Sequence, residues 1–315
     1  MHDAFAAPAF VLTAIGHEAG SAHACGELIA QHLPEARWHR PLDERERAAE
    51  WIFPDDPREA CARLASLRDA TKTLPIDLNL QALPAAVRTP ADMAMRRKRL
   101  LVADMDSTII NQECIDEIAV VAGVGARVAA ITERAMRGEL DFEAALNERV
   151  ALLTGLPVST LHDVFDNRIT LMAGATTLIA TMKAHGALCA LVSGGFTFFT
   201  SRIAAKVGFD TNRANTLEIV DGALTGQVTP PILGRAAKLE ALQALSDAQG
   251  LTRDQTLAVG DGANDLAMIE AAGLGIAYRA KPIVAAKADA AINHGDLTAL
   301  LYLQGYRDAD FALTA

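Results

Sequence analysis

Two acids stand two positions apart in the segment Asp104-Met105-Asp106-Ser107-Thr108, directly after the apolar run Leu100–Ala103. On continuing strand geometry their side chains would point to opposite faces. A turn after the strand can instead aim both at one ligand, where one carboxylate attacks and the other moves protons. A second cluster, Ser193-Gly194-Gly195-Phe196, offers a hydroxyl and backbone N–H groups that can approach an anion closely. A third, Gly260-Asp261-Gly262-Ala263-Asn264-Asp265, packs three polar side chains among glycines. Asp265 stands where the last glycine of a dinucleotide loop belongs, so the segment looks instead like a hard-metal site. Lys238 is a fourth element, near the start of a helical segment over 235–249. Each cluster alone also fits a blander account: a turn with paired acids, a glycine turn, a solvated helix lysine.

The elements that must position these residues can be read from the chain. Leu100–Ala103, Ala187–Val192 and Thr256–Val259 are short apolar runs, each ending at one cluster and each followed by a segment of helical period. Buried parallel strands alternating with helices predict a doubly wound α/β sheet. Ligands of such sheets bind at the carboxyl ends of the strands, so the clusters can converge on one site. A helix-rich insertion at about 115–173 predicts a helical cap over it. The first 85 residues have their own pattern. A strand over Phe10–Ile15 precedes a helix over 21–33 and extended segments near Arg37–Leu42 and Ala48–Phe53. A helix then runs from an Asp56 cap, with Pro57 at its first position, to Arg68, and a strand over Leu74–Leu80 follows. This βαββαβ order predicts a small ferredoxin-like α+β domain. A stretch with Pro84 and Pro90 links the two parts, and the expected division is 1–90 and 91–310.

With 315 residues, 51% apolar and 22% charged, the chain can bury a sizeable core in two domains or one large one. A net charge of −10 argues against nucleic acid or an anionic membrane as the main partner. The basic run Arg96-Arg97-Lys98-Arg99 reads as a solvated lead-in to the next strand. Four widely spaced cysteines, at 25, 61, 114 and 189, fit a reducing compartment. No apolar stretch is long enough to span a bilayer. The first basic residue is Arg37, so the basic start of a secretory signal is missing, and a cytoplasmic protein is expected.

Together the four motifs resemble the haloacid dehalogenase (HAD) superfamily of phosphatases, in its order: the paired acids, Ser-Gly-Gly, the helix lysine and Gly-Asp-Gly-Ala-Asn-Asp. The segments Asn111-Gln112-Glu113-Cys114-Ile115-Asp116-Glu117 and Ala135-Met136-Arg137-Gly138-Glu139-Leu140-Asp141-Phe142, with Arg149, are similar to the cap of the phosphoserine phosphatases. The resemblance spans roughly residues 97 to 300, and the N-terminal part is similar only in kind, to an ACT-like regulatory domain. It implies a Mg²⁺-dependent hydrolase that converts O-phosphoserine to serine and phosphate, the last step of serine biosynthesis. Asp104 would be the nucleophile and Asp106 the acid and base. Asp104, Asp261 and the backbone carbonyl of Asp106 would hold Mg²⁺. Ser193, Gly194 and Lys238 would take the phosphate oxygens, with Asn264 as a further donor and Asp265 orienting Lys238 or metal-bound water. Glu113 would receive the substrate ammonium, Arg149 its carboxylate, and Met136 and Phe142 would wall the site. A homodimer and serine binding to the N-terminal domain stay open on this reading. So do a phosphatase or phosphotransferase for another small ester, and an amino-acid-sensing protein with a vestigial core.

Overall fold

A computed structural model describes residues 10–34, 38–53, 57–87 and 89–312. The expected helix cap Asp56 and the start of the extended segment at Arg37 lie outside them. The N-terminal unit runs β1 (Phe10–Gly16), α1 (Ser21–His32), β2 (Trp38–Pro41), β3 (Ala48–Phe53), α2 (Pro57–Thr71) and β4 (Ile76–Ala82). Its antiparallel sheet has the order β2-β3-β1-β4, which is the ferredoxin-like arrangement. Leu12, Ala14, Cys25, Ile29, Leu67 and Leu78 form its own core under the two helices.

The second unit begins with β5 (Leu100–Ala103). Four cap helices follow: α3 (Cys114–Val121), α4 (Gly125–Met136), α5 (Phe142–Ala151) and α6 (Val158–Asn167). The chain returns through α7 (Ala175–Ala184), β6 (Leu188–Phe196), α8 (Thr197–Val207), β7 (Thr211–Val220) and β8 (Ala223–Thr229). It ends with α9 (Ala236–Ala248), β9 (Thr256–Gly260), α10 (Leu266–Ala271), β10 (Leu274–Tyr278), α11 (Pro282–Ala285), β11 (Ala290–Ile292) and α12 (Ala299–Tyr302). The sheet order is β11-β10-β9-β5-β6-β7-β8, parallel except for β8. β5 and β9 are buried along their whole length, as expected of strands covered on both faces. β5 lies between β9 and β6, so the acids after β5, the serine of β6 and the acids after β9 come from three adjacent strands. The cap joins the core through two adjacent passages, bridged at Ile110 and Leu171 and tied by Asn111 to Thr170 and Leu171.

Two features depart from the sequence reading. The β7–β8 hairpin was not foreseen; its strands carry mixed, partly exposed residues with no clean apolar run. The basic run is only partly solvated: Arg99 is exposed, Arg97 and Lys98 are half-buried and Arg96 is buried. Arg96 is only 5% exposed and donates to Glu50 Oε2 at 2.8 Å and to the Leu303 carbonyl at 2.7 Å. Arg97 lies over the Tyr306 ring, 4.1 Å from its centroid. The run therefore joins the two units, and Arg40 completes the arrangement with a 2.5 Å ion pair to Glu50. Asp77 of β4 accepts N–H groups from Asn293, His294 and Gly295, while Asn79 brackets the backbone of Ala291 on edge strand β11. These two side chains satisfy edge groups that would otherwise invite pairing with another chain. Ile15, Leu42 and Ala48 join the second unit's apolar core, so the junction is also hydrophobic.

Removing one partner of a buried charge pair leaves the other unmatched. Arg96→Ala should therefore destabilise the fold by about 3–5 kcal/mol, read as a lower urea midpoint at unchanged slope. A loss below about 0.5 kcal/mol, the usual range for surface substitutions, would show that Arg40 alone satisfies Glu50.

Candidate active site

The turn after β5 brings both acids to one place. Thr108, Ile109 and Ile110 all donate to the Met105 carbonyl, which curls the chain just past the strand. Asp104 Oδ1 accepts from the Met105 N–H at 2.8 Å and from Lys238 Nζ at 2.7 Å. Asp106 accepts the Cys114 N–H on Oδ1 at 2.8 Å and the Ser193 hydroxyl on Oδ2 at 3.0 Å. It thereby joins the start of the first cap helix to the catalytic turn. Ser193 Oγ accepts in turn from the Gly195 N–H at 2.8 Å. Ser193–Gly195 does not follow the end of the strand, as the apolar run ending at Val192 suggested. It lies within β6, where the pairing with β7 is interrupted between Val192 and Phe196, freeing backbone groups that a regular ladder would consume.

Lys238, buried in the first turn of α9, also pairs with Asp265 Oδ1 at 2.5 Å. Asp265 Oδ2 accepts the Gly262 N–H at 3.0 Å. The loop can fold this tightly because residue 260 is glycine: a Cβ there would meet the Asp265 carboxylate at 2.4 Å. Carboxylate oxygens of Asp104, Asp261 and Asp265 lie within 4.8 Å of one another, a hard-oxygen set suited to a divalent cation. Asp265, expected to orient Lys238 or metal-bound water rather than to bind directly, belongs to the acidic cluster itself. Asp106 takes no part in it through its carboxylate.

Burial raises the pKa of the carboxylates in this pocket, and at Asp104 and Asp261 a neighbouring charge adds to it. Burial pushes Asp104 well above the usual carboxylate range; the Asp265 charge adds to this and Lys238 opposes it. Burial also raises Asp106, against the hydrogen bonds from Cys114 and Ser193. Asp261 is pushed up to about 6 by burial and then by Asp265. A general acid needs such a shift to hold its proton near neutral pH.

The cap supplies the remaining residues. Asp141 caps α5 by accepting the Ala144 N–H at 2.7 Å, which sets Phe142 at the helix start. The Phe142 ring lies so close to Gly194 that a Cβ there would meet it at 3.1 Å. Phe142, Ser193, Gly194, Lys238 and Asn264 line a cavity of about 10 Å³. That is room for one water. Glu113 caps no N–H of α3; its carboxylate accepts from the Ser107 hydroxyl at 2.7 Å. Loss of hydration and then the charge of Asp106 push it up to about 7. Arg149 is half-buried, donates from Nε to the Ala145 carbonyl at 3.1 Å, and feels the charges of Asp116, Glu113 and Asp106. Met136 ends α4, and its side chain lies outside the described residues.

Sequence reasoning missed Asn215, on β7. Its amide donates to the Gly194 carbonyl at 2.9 Å and accepts from the Leu233 N–H at 2.7 Å, tying the β6 bulge to the loop before α9. A lone asparagine in a partly exposed strand gave no signal of this.

The profile of the haloacid dehalogenase-like hydrolases matches residues 101–270, and the chain belongs to that family. The phosphoserine phosphatase SerB2 of Mycobacterium tuberculosis is 48% identical over 213 residues, covering 68% of this chain and 52% of its own length. The chain thus spans about half the length of that curated relative. A crystal structure of a probable phosphoserine phosphatase from Vibrio cholerae superposes with a TM-score of 0.74 at 33% identity, over 95% of this chain and 87% of the other. A phospho-aspartyl intermediate analogue of a phosphoserine phosphatase superposes with a TM-score of 0.61 at 44% identity, over 65% of this chain and 98% of that one.

Proposed function

We propose that the chain hydrolyses O-phosphoserine to serine and phosphate through an aspartyl-phosphate on Asp104, supplying the last step of serine biosynthesis. The observation that carries the proposal is the joint placement of Glu113 and Arg149, an acid and a base on the cap, beside the buried Asp104–Asp106–Lys238 cluster. Phosphoserine is a phosphate ester with one ammonium and one carboxylate, and the site offers a partner for each.

Asp104 attacks phosphorus with the oxygen that Lys238 and Met105 leave free. Asp106 donates a proton to the departing serine oxygen, then takes one from the water that cleaves the acyl phosphate. Lys238, the Ser193 hydroxyl and the Gly194 N–H receive the transferring oxygens as their charge builds, with Asn264 beside them. Ser193 already donates to Asp106, so it exchanges that acceptor for a phosphate oxygen as substrate arrives. Phe142, with Met136 on the same cap, excludes water once the cap closes. Asp104, Asp261 and Asp265 would hold Mg²⁺, together with the Asp106 carbonyl; the ion would offset the repulsion between carboxylate and phosphate. Residues 1–90 form an ACT-like regulatory unit on this reading, with serine as its ligand, and residues 91–310 the phosphatase. The first unit's separate sheet and core support that division. Buried free thiols at Cys25, Cys114 and Cys189 fit work in the reducing cytoplasm.

Phosphate release from a panel of small phosphomonoesters tests the proposal, with Mg²⁺ and after exhaustive chelation. Phosphoserine should lead the panel, chelation should stop turnover, and Mg²⁺ should restore it. Ca²⁺ should substitute poorly, because its larger, looser coordination misplaces the nucleophile. Another ester leading by tenfold, or full activity without metal, would refute it.

A further inference from the structure

Ser107 has a positive φ of 55°, in the left-handed region where glycine is at ease and a side chain is strained. At Asp221, another of the non-glycine residues with positive φ, the tight β7–β8 hairpin accounts for the conformation, next to Gly222. Ser107 likewise lies in a tight turn, the one after β5, where glycine would relieve the backbone. What the serine supplies is its hydroxyl, which donates to Glu113 Oε1 at 2.7 Å across a six-residue loop. The neighbouring Asp106 holds the next residue of the cap, through the Cys114 N–H. Adjacent residues of the turn thus fix the Glu113 side chain and the backbone that follows it.

Glu113 needs that support. It is the N-cap residue of α3, yet its side chain makes no capping hydrogen bond, so the helix does not fix its rotamer. The carboxylate projects beside other acids, whose repulsion would turn it toward water. We propose that Ser107 is a specificity-determining positioning residue that aims the Glu113 carboxylate at the ammonium of the substrate. The inference rests on the phosphoserine reading above. Because Oε1 is occupied by the hydroxyl, Oε2 is the oxygen presented to the ligand. Ser107 acts through Glu113 and touches no reacting atom.

Ser107→Gly removes the hydroxyl and relieves the backbone, so the variant should fold with an unchanged or higher melting temperature. The test compares phosphoserine with 3-phosphooxypropanoate, the same ester without its ammonium, in the full-length protein with Mg²⁺. Losing a hydrogen bond to a charged group should raise KM for phosphoserine about tenfold or more, with kcat changed far less and KM for the desamino ester unmoved. Ser107→Asn tolerates the left-handed conformation and restores a donor, so it should recover part of the preference; recovery of none would overturn the proposal. Equal hydrolysis of the two esters by the unmodified protein would overturn the ammonium reading itself, and Ser107's role with it. A wild-type preference for phosphoserine that persists in Ser107→Gly would overturn the role of Ser107 alone. Equal KM increases for both esters would also overturn it, since Ser107 would then only dock the cap on the catalytic turn.

Discussion

Asp104→Asn is expected to abolish turnover. An amide at this position keeps the shape of the side chain and can still accept from Lys238, but it has no anionic oxygen to form the acyl phosphate. Deleting a nucleophile in enzymes of covalent mechanism costs on the order of 10⁴-fold or more in kcat. Labelled substrate and acid quenching separate chemistry from binding. The wild-type protein should retain an acid-stable, hydroxylamine-sensitive label, and the variant none. Because Lys238 keeps its 2.5 Å pair with Asp265, the fold around the site should persist, with a melting temperature near that of the wild type. Wild-type-like turnover would remove the covalent mechanism, and a retained label would move the nucleophile to another residue.

The second large effect is expected at Arg149. Among the described residues no hydrogen bond within the fold engages its terminal guanidinium nitrogens; Nε alone is engaged, with the Ala145 carbonyl. Burial lowers its pKa, against the Asp116 and Glu113 charges, which raise it. Removing it would strand the substrate carboxylate in a closed site. Loss of one partner from such a pair costs roughly 2–5 kcal/mol. Arg149→Ala should therefore lower kcat/KM for phosphoserine by about 30- to several-thousand-fold. Hydrolysis of an aryl phosphate, which has no carboxylate, should fall far less. Arg149→Lys should rescue only in part, since a point charge lacks the two-pronged geometry. An equal fall for both substrates would mean that Arg149 supports the fold or the chemistry, and the phosphoserine reading would lose its main physical support.

Much of the architecture was legible in the chain. Short apolar runs ending in polar clusters are what a doubly wound sheet requires of its buried strands. The βαββαβ pattern read over the first 85 residues appears as the four-stranded sheet with its two helices, and the insertion at about 115–173 as the four cap helices. These features are local: apolar periodicity, caps and glycines act within a few residues, so the sequence displays them directly. The clusters themselves were legible for the same reason, because each is contiguous in the chain.

What the sequence by itself determined was therefore the set of chemical groups and the strands that carry them. Which of those groups meet was decided only by tertiary structure. The placement of β5 between β6 and β9 joins Ser193 to Asp106, and Lys238 to both Asp104 and Asp265, across gaps of 27 to over 100 residues. The burial of Arg96 against Glu50 was invisible for the same reason. A run of basic residues looks solvated until a distant acid, here 46 positions away, is brought to it. Asn215 and Ser107 complete the point. One is a single amide on an irregular strand and the other a hydroxyl on a strained turn, and neither residue type carries a signal until its partner's position is fixed. Charge pairing, close packing against glycine and the repair of an interrupted strand are long-range effects of the folded chain, and they are what turns four short motifs into one site.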